Sequence, residues 1–320
     1  MLAPALSDRP SDAALACLVL GGGAGPWRVP LVRLAGAACE LWPAAGRVAE
    51  GRIAEASWRA DGERCVVSIE LPCEPPEAAS EEAYRRLFHV LDALGYPHLL
   101  RTWNYLPGIT AGEGEEERYR AFVRGRARAF AERLAPGAYP AATAVGCAGE
   151  HLLLHALAAR SPGTALENPR QVPAWRYPPR YGKVAPAFAR AVLLGDGLML
   201  VSGTASIVGH RSRHAGELRQ QLAEARRNLE TLCAVAARRA GPGRLLLLRV
   251  YLRDQERLPE LLAGLPAEPT RVVLAAEICR RELLVELEGV WAGGRGAAAS
   301  DGGPEGRLSS VGGSPPAGGG

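Results

Sequence analysis

Between Arg271 and Gly289 the chain reads as two apolar, β-prone runs, Val272-Val273-Leu274 and Leu283-Leu284-Val285. A polar crossing holding Cys279, Arg280 and Arg281 separates them. The second run continues into Glu286-Leu287-Glu288. Side chains alternate across a strand, so this spacing puts both carboxylates on one face. The flanking runs make the strand a central one, where an inward acid is costly unless it is paired or used. An outer face carrying two solvated acids is the commoner fate of such residues. The pattern alone leaves both arrangements open.

The rest of the chain can supply a core for such a strand. Its 320 residues suffice for one large domain or two ordinary ones. An apolar fraction of 48% with 22% charged residues is that of a soluble globular protein. A net charge of +4 and a pI near 8.8 come from scattered arginines, not from a basic stripe with interleaved aromatics. That pattern argues against nucleic acid as a partner. No window reaches the ~18 uninterrupted apolar residues of a membrane span, and the first residues lack the basic-then-apolar order of a secretory leader. Seven cysteines, odd in number, dispersed and without a CxxC pair, predict reduced thiols in a cytoplasm.

Residues 1–12 read as a disordered leader. An N-terminal α+β half is expected over 13–150, a C-terminal half over 151–291, and a disordered low-complexity tail over 292–320. Short apolar runs with turn signals predict strands and hairpins through residue 72. A helix follows from a Ser80 cap to Gly95, with Tyr84, Leu87, Phe88, Leu91 and Leu94 as its apolar stripe. A second helix is expected over 112–134, with the acids in its first turn, and a third over 215–239. His151 and His155, beside Glu150, would share a face if helical, but the segment reads as easily as a strand and no third ligand is near, so no metal is expected.

Residues 163–190 are too proline-rich for regular structure. They nevertheless carry Trp175, Tyr177, Tyr181 and Phe188, with Arg170, Arg176, Arg180, Lys183 and Arg190. A long irregular loop in a compact domain is usually functional or disordered, and its aromatics argue against disorder. The small residues of 202–206 then allow a ligand to approach the backbone closely, although a plain tight turn fits them too.

An ordered set of motifs resembles the chorismatases. They are Glu167-Asn168-Pro169-Arg170-Gln171-Val172, Tyr177-Pro178, Tyr181-Gly182, the run Ser202-Gly203-Thr204-Ala205-Ser206-Ile207-Val208-Gly209-His210, Val250-Tyr251-Leu252-Arg253-Asp254, and Cys279-Arg280 followed by Leu283-Leu284-Val285-Glu286. The resemblance spans about residues 98–290. The C-terminal half is also similar to the YjgF/RidA fold. Two α+β halves are therefore implied, each a mixed sheet with helices packed on one face.

The resemblance implies an enzyme that releases pyruvate from chorismate, a small dianion, without metal or organic cofactor. Arginine forks suit two carboxylates, and the expected binders are Arg126 and Arg190, with Tyr119, Tyr177, Tyr181, Gly203 and Thr204 around the ring. Glu286 is the implied acid, its pKa raised by burial on the central strand. A cysteine at 279 resembles the members that form 3-hydroxybenzoate, and Arg280 beside it predicts a lowered thiol pKa; an inert buried cysteine is the plainer reading. Formation of both 3- and 4-hydroxybenzoate, hydrolysis of the ether to a dihydroxycyclohexadiene acid, a non-catalytic binding protein of the same fold, and an imine deaminase using Arg271 with Glu286 are the other readings. A two-half chain can satisfy its own sheet edges, so a monomer is expected.

Overall fold

The computed structural model describes residues 3–294 and is of the α+β class, with two large mixed sheets packed face to face and helices on their outer sides. The first sheet has seven strands in the order Glu277–Ile278, Ala141–Cys147, His98–Pro107, His151–Ala159, Arg64–Pro72, Ala56–Ala60 and Ala49–Ile53. Helices α1 (Pro76–Leu94) and α2 (Arg118–Arg133) cover its outer face. The second sheet runs Thr164–Leu166, Ala191–Leu193, Leu198–Val201, Val285–Gly293, Gly243–Leu252, Thr270–Ala275 and Val32–Ala35. The short strand Thr204–Ala205 also pairs with Val285–Gly293. Helices α3 (Leu218–Ala240) and α4 (Leu258–Gly264) back this sheet. A four-stranded sheet from the first 42 residues closes one side of the layered core.

Period-2 alternation decides what lies between the sheets. From the first sheet, Trp103, Tyr105, Leu153 and Leu157 point inward; from the second, Leu200, Leu247, Tyr251 and Val290 meet them. On Val285–Gly293 the outward set, Val285, Leu287 and Trp291, packs under the helices. Glu286 and Glu288 therefore share the inner side with Val290. The strand is central, flanked by Leu198–Val201 and Gly243–Leu252. The solvated-acid arrangement is thus excluded: Glu286 is 5% exposed and Glu288 4%.

The boundaries expected from sequence move. His151–Ala159 is not the start of the second half; it pairs with Arg64–Pro72 and His98–Pro107 inside the first sheet. Of the two forms open to the His151–His155 segment, helix and strand, it takes the strand. Residues 5–7 of the expected leader form a strand against residues 39–41, and Val285–Gly293 extends past residue 291. The remainder of the expected tail, residues 295–320, lies outside the described residues. Helix α1 begins at Pro76, a turn before Ser80, with proline at its first position. Ser80 instead donates to the carbonyls of Glu77 and Phe122 at 3.0 and 2.9 Å, where α1 crosses α2. Gly95, at φ 73°, closes the helix in the left-handed conformation. Among the described residues, no helix is long and apolar enough to cross a membrane.

Candidate active site

A cavity of about 420 Å³ lies where α2 and the strand Ala141–Cys147 meet residue Glu286 of the strand Val285–Gly293, the loop of residues 177–190 and the turn of residues 279–282. Glu286, Cys279, Gly203, Arg126, Arg190, Tyr119, Tyr177 and Tyr181 all line it. Eight of the nine residues expected from sequence are thus brought together, although they span 168 positions of chain from 119 to 286.

Thr204 is the exception. It sits between Gly203 and Ala205 on a strand paired with Thr204 opposite Leu287, so alternation turns it toward the helix side. Its hydroxyl donates to the Ser202 carbonyl at 2.8 Å, and it does not line the cavity.

Glu286 is pushed up to about 8, first by burial and then by the charge of Glu288, against the opposing pull of Arg101 and Arg190. Glu288 goes the other way. Burial works against its ionisation, but Arg101, Arg249 and hydrogen bonds from Thr143 and Trp103 hold it below the usual carboxylate range. Its Oε2 accepts from Arg101 at 2.8 Å, Thr143 at 2.6 Å and Tyr251 at 2.9 Å, and its Oε1 from Trp103 at 2.8 Å. Two carboxyls on one face of one strand are therefore separated into a protonated acid and a fixed anion. That is the arrangement by which environment divides acid and base roles.

The arginines differ in what they already hold. Arg126, 1% exposed, lies over the rings of Phe122 and Phe130 at 5.1 and 5.6 Å, and its Nε and Nη2 have no hydrogen-bond partner. A buried guanidinium without partners is costly and calls for an anion. It is aimed by packing: Gly125 brings α2 so close to α1 that a β-carbon there would stand 1.9 Å from the Glu77 carbonyl oxygen. Arg190 donates to the Tyr177 hydroxyl at 2.7 Å and the Val172 carbonyl at 3.0 Å, leaving Nε unpartnered. Its backbone N–H donates to Glu167 at 3.2 Å.

Arg170, an alternative binder by composition, is used elsewhere. It donates to Asn228 Oδ1 at 2.7 Å and pairs with Glu224. Arg271 binds the carbonyls of Pro266 and Ala267 at 2.5 and 2.8 Å, outside the cavity. A carboxylate-binding role for it is not available here.

At the mouth, the rings of Tyr177 and Tyr181 lie 5.5 Å apart, and the Arg280 guanidinium stands 4.1 Å over Tyr181. Arg280 also donates to the His210 carbonyl and Ser212 Oγ at 3.1 and 3.0 Å. Committed there, it does not govern its neighbour. Cys279 is pushed up, not down, to about 12, by burial and then by Glu286, with Arg280 opposing only in part. The thiol stays protonated.

Sequence reasoning missed the partners of Glu288 and the lining residue Phe188, which packs 5.1 Å from the Arg190 guanidinium. One signal was present: Arg249 interrupts the apolar run of residues 245–252, and a lone arginine there needs a buried acid. His155 is enclosed by Trp27 and Tyr105, its Nε2 2.9 Å from the Arg28 carbonyl, and burial lowers it to about 4. Among the described residues, no cluster of three His, Cys, Asp or Glu could hold a metal ion.

Residues 40–158 match the family described as chorismatase FkbO/Hyg5-like, N-terminal. A 3-hydroxybenzoate synthase of Streptomyces hygroscopicus is 40% identical over 233 residues, 66% of this chain and 68% of that protein. A chorismatase of Streptomyces rapamycinicus is 36% identical over 234 residues, 67% of this chain and 70% of its own. A chorismatase crystal structure superposes with a TM-score of 0.81 at 30% identity, covering 91% of this chain and 99% of that one.

Proposed function

The chain belongs to the chorismatase family, and we propose that it converts chorismate to 3-hydroxybenzoate and pyruvate, with Glu286 protonating the enolpyruvyl ether. The observation that carries this reading is a carboxyl pushed up to about 8 in a cavity that also holds unpartnered guanidinium nitrogens of Arg126 and Arg190. A general acid must keep its proton near neutral pH, and Glu286 does.

In this reading Arg126 and Arg190 take the two carboxylates, and Tyr119, Tyr177, Tyr181 and Phe188 enclose the ring. Glu286 gives its proton to the methylene carbon, which leaves an oxocarbenium. The bond between ring carbon and ether oxygen then breaks, and pyruvate departs with that oxygen as its ketone. The neighbouring ring hydroxyl oxygen takes the vacated position, through an epoxide-like intermediate, and its proton restores Glu286. Opening and aromatisation give 3-hydroxybenzoate, so one chorismate yields one of each product and no water is consumed. Cys279, a neutral thiol on the wall beside Glu286, acts at the product-determining step. These are proton transfers, two C–O cleavages and one C–O formation, with no net oxidation or reduction. A monomer with reduced thiols in a cytoplasm accompanies this reading; all seven cysteines are unpaired.

The test is chromatography of chorismate incubated with the purified protein, with pyruvate assayed in parallel. Equimolar pyruvate and 3-hydroxybenzoate, both lost in Glu286→Gln, are expected, as is a change of ring product in Cys279→Ala. The identity of the ring product separates the routes, because hydrolysis yields a dihydroxycyclohexadiene acid in place of 3-hydroxybenzoate. Chorismate left untouched would overturn the enzyme reading.

A further inference from the structure

Behind the cavity, on the far side of Glu288, lies a second buried acid that the chemistry above does not use. Glu40 comes from the strand Cys39–Trp42 of the small N-terminal sheet and is 1% exposed. Its Oε2 accepts from Arg249 Nε at 2.6 Å, and its Oε1 from Trp42 Nε1 at 2.8 Å. Arg249, wholly buried, then meets Glu288 Oε1 through Nη1 at 3.3 Å, and Glu288 Oε2 meets Arg101 at 2.8 Å. The four groups form a file of alternating sign, reaching from the N-terminal sheet to the residue two positions from Glu286. Both cations flank the same ring, at 4.8 Å (Arg101) and 5.3 Å (Arg249) from Trp103.

We propose that Glu40 is a positioning residue for the reaction: by neutralising Arg249 it completes a charge-balanced file, Glu40–Arg249–Glu288–Arg101, whose field keeps the proton on Glu286. The idea rests on Glu286 being the acid. Desolvation of an ion pair this deep is expensive, and a well-packed apolar pair would be as stable or more so. The file therefore does not earn its place through stability alone. Its electrostatic effect is direct: Arg249 donates one hydrogen bond, from Nε to Glu40, while Nη1 and Nη2 have no hydrogen-bond partner and Nη1 reaches Glu288 only as an ion pair at 3.3 Å, so the Glu40 carboxylate is its hydrogen-bonded counter-charge. Without the Glu40 carboxylate, an unmatched buried cation would favour the ionised form of Glu286, because charges couple strongly across a dry interior.

Other groups also face these residues. Glu286 is faced by Cys279 and Tyr119 from other elements, besides Arg190 and Arg101. Arg249 is faced by Tyr105, Tyr251 and His155. Burial keeps both tyrosines protonated and His155 neutral at working pH.

The experiment is the pH dependence of kcat/KM for pyruvate release in wild type, Glu40→Gln, Arg249→Lys and the double variant Glu40→Gln/Arg249→Met. Glu40→Gln is expected to move the alkaline limb down by about half a pH unit or more. Arg249→Lys, which retains the charge, should leave the limb in place, and the double variant, which restores balance, should return it. A merely structural Glu40 would change amplitude or thermal stability without this sign pattern. An alkaline limb in folded Glu40→Gln that coincides with wild type overturns the proposal. Carboxyl ¹³C NMR of glutamate-labelled protein, with the Glu286 resonance identified by its loss in Glu286→Gln, reads the same shift without substrate. The file is therefore tested even if chorismate is not turned over, and the two failures stay distinct.

Discussion

Gly203 and Glu286 stand so close that a β-carbon built on residue 203 would lie 2.0 Å from Glu286 Oε1. The Gly203 N–H donates to Thr143 Oγ1 at 3.0 Å, and the same hydroxyl donates to Glu288 at 2.6 Å. Gly203 is therefore the floor against which the acid rests, and its backbone is tied to the fixed anion beside that acid. Because the atom it would strike is the end of a side chain, Gly203→Ala should fold and displace the carboxyl. A misplacement of about 1 Å can cost on the order of 100-fold in rate. We expect pyruvate release to fall at least tenfold while the melting temperature moves by only a few degrees.

The raised pKa of Glu286 has two consequences of definite sign. The acid form is the active one, so kcat/KM should be level at neutral pH and fall as pH rises through about 8. Stability follows the same proton. Between its ordinary value of 4.5 and about 8 the native protein holds a proton that the unfolded chain has released. Wild-type stability from this group is thus present below the unfolded value and lost as pH rises.

Glu286→Gln removes that dependence. It should be inactive yet more stable than wild type, with the gap widening between pH 5 and 8 by on the order of 1 kcal/mol per unit. Urea unfolding of both proteins at several pH values checks this; a gap that narrows with pH would contradict burial as the cause.

Arg126→Met should separate binding from folding. It removes unpartnered buried nitrogens, so the melting temperature should hold or rise. The loss of a charge-assisted pair should raise KM for chorismate at least tenfold, with a smaller change in kcat.

Glu288→Gln is expected to behave in the opposite way. It strips an anion from two buried cations and should destabilise by about 3–5 kcal/mol, the usual cost of breaking a buried pair from one side. Denaturant titration reads this directly, and loss of activity at a temperature where the variant is still folded would follow from the altered field at Glu286.

What the chain disclosed in advance was local. Alternation through Glu286-Leu287-Glu288 placed both acids on one face, and the aromatic and basic content of residues 163–190 marked Tyr177, Tyr181 and Arg190. Direction across a pairing was not local. Thr204 looked equivalent to Gly203 until the register against Leu287 turned it away. Nor was the competition at Cys279 legible: Arg280 follows it in sequence, but its guanidinium goes to Tyr181, His210 and Ser212, so burial prevails. The partner of Glu288 lies 187 positions away, at Arg101, a pairing that only the stacking of two sheets creates.

The sheets also trade strands. Val32–Ala35, from near the start of the chain, completes the second sheet beside Thr270–Ala275, and Glu277–Ile278, from near the end, completes the first beside Ala141–Cys147. Neither half owns its full set of edges, so the chain cannot be cut into two autonomous pieces, and during synthesis the first sheet waits for its last strand until residue 278 has emerged. That late strand is followed at once by Cys279. The segment that latches the sheets together is therefore the one that carries the thiol to the cavity wall.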